Sequence, residues 1–130
     1  MTNETLNRDM VMQLLNGIDA GDISVLDRVF HDDGEMVWPA SKELVRGAVN
    51  RRGVYSHMPV LPKVEKRRVF GSGDLWVAEA TLSYSGKPYA AVLIFEFRDG
   101  KIARETGYWA EPFDAPAWRE EWVEPLPMPA

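Results

Sequence analysis

Two titratable side chains in this sequence are placed where proton transfer would be useful. Glu79 interrupts the apolar run Trp76-Val77-Ala78-Glu79-Ala80. A carboxylate buried there without a partner is costly, so an inward Glu79 needs a cation or takes a raised pKa, which suits a general base. Charged residues in half-buried strands usually point outward, and that alternative stays open. His57 falls at the end of a helical stretch, and imidazole is the side chain type suited to proton exchange at physiological pH. With Glu79 or Tyr55 as partner it is an acid–base group; alternatively its ring satisfies the last carbonyls of the helix. Glu79 and His57 are therefore the candidate catalytic residues.

Three further charged groups lie on the strands expected near the end of the chain. Glu96 alternates away from Leu93, Phe95 and Phe97 and is expected to face outward. Arg104 and Glu105 face opposite sides of a regular strand, so one of them can enter the interior. A slip by one residue reverses which.

His31, Asp32 and Asp33 do not make a metal site, because adjacent ligands in one turn rarely converge on one ion and the other histidine is remote in sequence. No metal and no cofactor is expected. The ligand-binding candidates are aromatic: Trp38, Tyr55, Tyr84, Tyr89, Tyr108 and Trp109 can stack on a flat molecule and offer polar groups at fixed positions. Arg46, Arg51, Arg52, Lys63, Lys66, Arg67 and Arg68 form a basic run, read as a solvated edge that discourages strand addition.

The elements that must position these groups follow from periodicity. Leu6, Met10, Val11, Leu14, Leu15 and Ile18 recur at helical spacing, so the first twenty residues predict an amphipathic helix stopped by Gly21. Asp22 can cap a shorter helix running through Phe30. His31 to Gly34 reads as a polar turn. Glu35 to Trp38 then reads as a brief strand near an edge, ended by Pro39. A third helix is expected between Gly47 and Pro59.

From Pro62 the period becomes two, and Gly71-Ser72-Gly73-Asp74, Ser85-Gly86 and Asp99-Gly100 punctuate a meander. Its strands are expected near Lys63–Phe70, Leu75–Tyr84, Pro88–Arg98 and Lys101–Trp109. Asp114 and Pro116 predict a last short helix that brings Trp118 and Trp122 to one side, packed over the mouth of the sheet or against a second subunit. Pro125, Pro127 and Pro129 end the chain in an extended tail.

Composition limits what such an assembly can be. A chain of 130 residues, 45% hydrophobic, closes one core rather than two, so residues 1–130 are expected to form a single domain. A net charge of −5 argues against nucleic acid, which requires a basic field. No apolar run reaches the roughly 20 residues that cross a bilayer, and a cytoplasmic protein with no membrane partner is expected. The absence of cysteine excludes disulfides and thiolate chemistry.

Ala20-Gly21-Asp22 leading to Phe30-His31-Asp32-Asp33, then Arg46-Gly47, then Phe97-Arg98-Asp99-Gly100-Lys101-Ile102 through Tyr108-Trp109, resemble in their order the nuclear transport factor two-like superfamily. Within it they are similar to the SnoaL-like proteins, related to polyketide cyclases and ketosteroid isomerases, across nearly the whole chain. The resemblance implies an α+β fold, a cone-shaped barrel with amino-terminal helices packed on a curved antiparallel sheet around a pocket. It also implies a homodimer, for which the apolar outward set Ala90, Val92 and Ile94 is suited.

Ketosteroid isomerases use a carboxylate base and two proton-bearing donors, and those three positions fall at or near Trp38, Leu14 and Leu93. All three are apolar, so that mechanism is not expected. SnoaL-like cyclases carry a carboxylate elsewhere, sometimes near the end of the final strand, where this chain reads Tyr108-Trp109-Ala110-Glu111. Two functions remain: a pocket protein binding a hydrophobic or aromatic metabolite, with no specific reaction assignable, or a cofactor-independent acid–base enzyme (lyase, isomerase, cyclase or hydrolase) using Glu79 and His57.

Overall fold

A computed structural model of the chain describes residues 3–127. Helix α1 (Asn3–Asp19) is followed by α2 (Val25–Val29), strand β1 (Phe30–Trp38), β2 (Glu43–Arg46), α3 (Gly47–His57), then β3 (Lys63–Ser72), β4 (Leu75–Tyr84), β5 (Lys87–Arg98) and β6 (Lys101–Ala110), with a 3-10 helix at Ala117–Trp122. The strands form one sheet in the order β2-β1-β6-β5-β4-β3. All neighbours are antiparallel except β1 and β6, which run parallel. The sheet is therefore mixed, and its two edges do not meet.

The first junction forms as its residues dictate. Gly21 takes φ +78°, the left-handed conformation that lets Asp22 N–H return to the Gly17 carbonyl at 2.8 Å and ends α1. Asp22 accepts the Ser24 N–H at 3.1 Å and the Ser24 hydroxyl, turning the chain one residue before α2 rather than capping the helix directly. The apolar stripe of α1 (Val11, Leu14, Leu15, Ile18) joins Val25, Leu26 and Val29 of α2 and the inward residues of β4–β6 in one core.

Tight turns produce the meander. Ser85-Gly86 and Asp99-Gly100 each have positive φ at both positions, and Tyr84 pairs Lys87 as Arg98 pairs Lys101, so both are two-residue hairpins whose twist matches the flanking strands. Curvature comes from register shifts in β1–β6, β3–β4 and β5–β6, each inserting unpaired backbone that bends its strand. Edge strand β3 carries Lys63, Lys66, Arg67 and Arg68, with Lys66 at φ 47° inside the bulge, which blunts the edge against further pairing.

Three expectations require correction. Strand β1 is nine residues long and internal, because His31 to Gly34 continue the strand through a bulge instead of forming a turn. The bulge holds because Gly34 passes close to the backbone of His31 and Ile102, while Arg98 binds Asp33 at 2.9 Å. The edge role belongs to β2, four residues that pair Met36 with Val45 and were not anticipated.

Arg51 does not belong to the solvated basic run, being 1% exposed. Trp118 and Trp122 do not pack over the sheet and are 74% and 76% exposed. In a 3-10 helix of three residues per turn, positions four apart are rotated off one another's face. Pro129 of the expected tail lies outside the described residues.

Candidate functional site

Beneath α1 and α3 the concave face of the sheet leaves a cavity with a free volume of about 60 Å³. Leu14, Leu15 and Ile18 of α1 form one wall, Tyr55 and Met58 at the end of α3 another, and Val64, Leu82 and Leu93 the floor; Trp38, Tyr84 and Trp109 close the sides. One charged residue enters this lining, Glu105 of β6.

Strand periodicity puts it there. In β6, Glu105, Gly107 and Trp109 fall on the concave face, while Arg104, Tyr108 and Ala110 fall on the outer one. Register decides the question left open by the sequence: Glu105 pairs Phe95 on one side and Met36 on the other, both buried, whereas Arg104 reaches the exposed rim and binds Glu35 at 3.1 Å.

Glu105 is 6% exposed, and its Oε2 has no hydrogen-bond partner. Burial pushes its carboxyl up to about 7, opposed in part by the positive charge of Arg51. Arg51 projects from α3 with its guanidinium 4.6 Å from the centroid of Phe30 and long contacts, 3.4 Å each, to the carbonyls of Gly34 and His31. Asp27 lies 4.0 Å from it, and its Nε is unpartnered. The carboxyl thus sits in an apolar chamber with a cation behind it that does not bond to it, a setting in which the protonated and ionised forms coexist near neutral pH.

Two phenols complete the polar inventory. Burial pushes the Tyr55 hydroxyl up, with the charge of Glu105 adding to it. Burial also raises Tyr84, offset by an interaction with the Trp109 indole. Both phenols are neutral donors at any ordinary pH. The Trp109 Nε1–H is buried, and its interaction with the Tyr84 hydroxyl falls short of hydrogen-bonding geometry.

Of the residues singled out in the sequence, Trp38, Tyr55, Tyr84 and Trp109 come together around this cavity. Tyr89 lies just outside, in a depression of about 280 Å³ shared with Tyr84 and Trp109, its ring edge-on to Tyr84 at 5.6 Å. Tyr108 is on the opposite face of β6 and 45% exposed, because even and odd positions of the strand part there.

Glu79 and His57 are not brought together. Glu79 is on the outer face of β4, paired with Arg68 at 3.3 Å. His57 is exposed at the end of α3, its Nδ1 2.8 Å from the Gly53 carbonyl, the arrangement of a ring that serves the helix terminus. The sequence signal for Glu105 was its alternation with Arg104; only the sign of the alternation was missing.

Leu14, Trp38 and Leu93, the positions aligned with isomerase chemistry, do line the cavity, and none carries a transferable proton.

Helices roofing a curved, open sheet around an apolar chamber define a small α+β pocket protein. The sequence profile of the SnoaL-like domain matches residues 11–105, most of the chain, and the protein belongs to that family. It is similar over 95% of its length to 97% of a nuclear transport factor two-like protein of unknown function from Burkholderia xenovorans, at 36% identity and a TM-score of 0.85. A candidate ketosteroid isomerase from Kribbella flavida shares the fold at 20% identity and a TM-score of 0.85, over 98% of this chain and 95% of that one. An epoxide hydrolase of M. tuberculosis shares it at 21% identity and a TM-score of 0.70, over 83% and 85%. No curated protein matches the sequence. Fold likeness at these lower identities fixes architecture and not chemistry.

Proposed function

We propose that the protein binds an uncharged, largely apolar small molecule in the cavity and transfers a proton on it through Glu105, as a cofactor-independent acid–base enzyme. The observation that carries this reading is the buried Glu105 carboxyl, with an unpartnered oxygen in an otherwise apolar lining and a pKa pushed up to about 7. Above that value the carboxylate accepts a proton from the guest, and below it the acid donates one. Tyr55 and Tyr84 supply neutral hydroxyls for charge that develops on a substrate oxygen. Isomerisation and epoxide hydrolysis, the reactions in the names of two fold neighbours, both suit proton transfer in such a chamber. The functional unit of this proposal is a homodimer joined through the outer face of β4–β6, where Val92, Ile94 and Tyr108 lie away from the helices.

A thermal-shift screen of uncharged ring alcohols, ketones and epoxides identifies compounds to follow by turnover. Glu105→Gln preserves the shape of the chamber and removes the transferable proton. The expected result is binding within a few-fold of the parent protein and turnover lower by about 10²–10⁴-fold. Turnover that survives in Glu105→Gln would overturn the acid–base role, and binding without turnover in either protein would leave a binding module instead.

A further inference from the structure

The chamber that holds Glu105 is too small for the guests its aromatic lining suits. Its free volume is about 60 Å³, whereas pockets for drug-sized molecules measure roughly 300–1,000 Å³. Two larger depressions adjoin it, each of about 280 Å³. One is lined by Tyr84, Tyr89 and Trp109, the other by Trp38, Ala40, Ser41, Met58, Gly107 and Trp109. Trp109 is the one described residue that lines the chamber and both depressions.

Its indole lies across Gly107: a Cβ at that position would meet Trp109 Cη2 at 2.7 Å and Cζ3 at 3.0 Å. Opposite Trp109 in the sheet stands Ala91, itself paired with Ala80. Small residues thus make room for a large ring that is set edge-on against Trp38, with 6.0 Å between centroids. Packing holds the ring more than hydrogen bonding does, since its buried N–H meets the Tyr84 hydroxyl outside hydrogen-bonding geometry. A buried donor so poorly partnered costs free energy that a guest bearing a well-placed acceptor would return.

We propose that the Trp109 indole is the partition between the Glu105 chamber and an outer aromatic subsite formed by Tyr84 and Tyr89. The ligand is then an uncharged compound of two rings, or one ring and a short chain, that spans both compartments with an oxygen acceptor placed on Trp109 Nε1. The proposal deepens the Glu105 reading by naming its substrate class and rests on that cavity being the binding site. An inner group of a few heavy atoms fits against Glu105, and the remainder stacks between Trp109 and Tyr89.

Three probes test it: 4-phenylphenol (two rings and an oxygen), phenol (one ring and an oxygen) and biphenyl (two rings and no oxygen). Affinities are read by calorimetry, and the five tryptophan indole N–H resonances by nitrogen-15 NMR. The resonance missing from Trp109→Phe is assigned to Trp109, with Trp109→Tyr as the second variant should the first not fold. The expected outcome is that 4-phenylphenol binds at least tenfold more tightly than either other probe and moves the Trp109 resonance downfield.

Trp109→Phe is expected to bring 4-phenylphenol and biphenyl to within about threefold of each other. The proposal is overturned if 4-phenylphenol fails to bind up to its solubility, if phenol matches it, or if it binds while the Trp109 resonance stays still. Glu105→Gln is expected to leave the resonance shift and the probe ranking intact, so failure of the proton-transfer role is read separately from failure of the partition.

Discussion

Glu105 places proton chemistry and stability in opposition. Its carboxyl is neutral in the folded chamber up to about pH 7, but ordinary values near 4.5 apply once the chain unfolds. Between those limits the native state holds the extra proton, so stability contributed by the neutral form is complete below about pH 4.5 and is lost as pH rises through 7. The interval corresponds to about 3 kcal/mol, an order-of-magnitude figure. Glu105→Gln has no such proton to lose. Urea denaturation is therefore expected to show the variant gaining on the parent protein by up to about 3 kcal/mol between pH 5 and pH 8.5. Parallel pH profiles for the two proteins would show that the carboxyl is not held neutral.

Among elements, the junction of α1 with α2 shows packing prevailing over propensity. Gly17 is inside α1, where alanine is favoured by about 1 kcal/mol on intrinsic grounds. A methyl group there would approach Val25 Cβ and Cγ1 to 2.7 Å, and Val25 is fully buried and branched at the contact, so it cannot swing aside. Overpacking of this kind costs about 1–3 kcal/mol. Gly17→Ala is expected to lower the unfolding free energy by up to about 2 kcal/mol, measured by urea denaturation. A stabilised variant would mean the two helices separate freely. The same scale explains which elements were legible. The meander was readable because its hairpin turns demand residues that tolerate positive φ, and Ser85-Gly86 and Asp99-Gly100 provide them locally. Strand β1 departs from the expected turn because His31, Asp32, Asp33 and Gly34 have turn chemistry, whereas what holds them in the strand is remote in sequence: β6 pairs Phe30 and Glu35 on either side of them, and Arg98 binds Asp33.

For the whole molecule, the helices cover one face of the sheet and leave the other open, with Val92 opposite Tyr108 and Glu79 on that outer side. The proposed homodimer makes this surface an interface, and Tyr108 is exposed enough for an aspartate to be tolerated by the fold. Sedimentation velocity at tens of micromolar is expected to give a dimer for the parent chain and a monomer for Tyr108→Asp. A monomeric parent chain would refute the pairing. No helix among the described residues is long and apolar enough to cross a membrane.

The sequence alone determined the helices, the meander with its hairpins, the family and the set of rings available to a pocket, because these depend on periodicity and on backbone preferences of adjacent residues. It also narrowed the interior charge of β6 to Arg104 or Glu105. Tertiary structure decided between them, and it moved Glu79, Tyr108 and His57 to the surface while drawing Arg51 inside. Side-chain alternation in a strand has a period of two but no sign, and the sign is set only when neighbouring strands fix the register across the sheet.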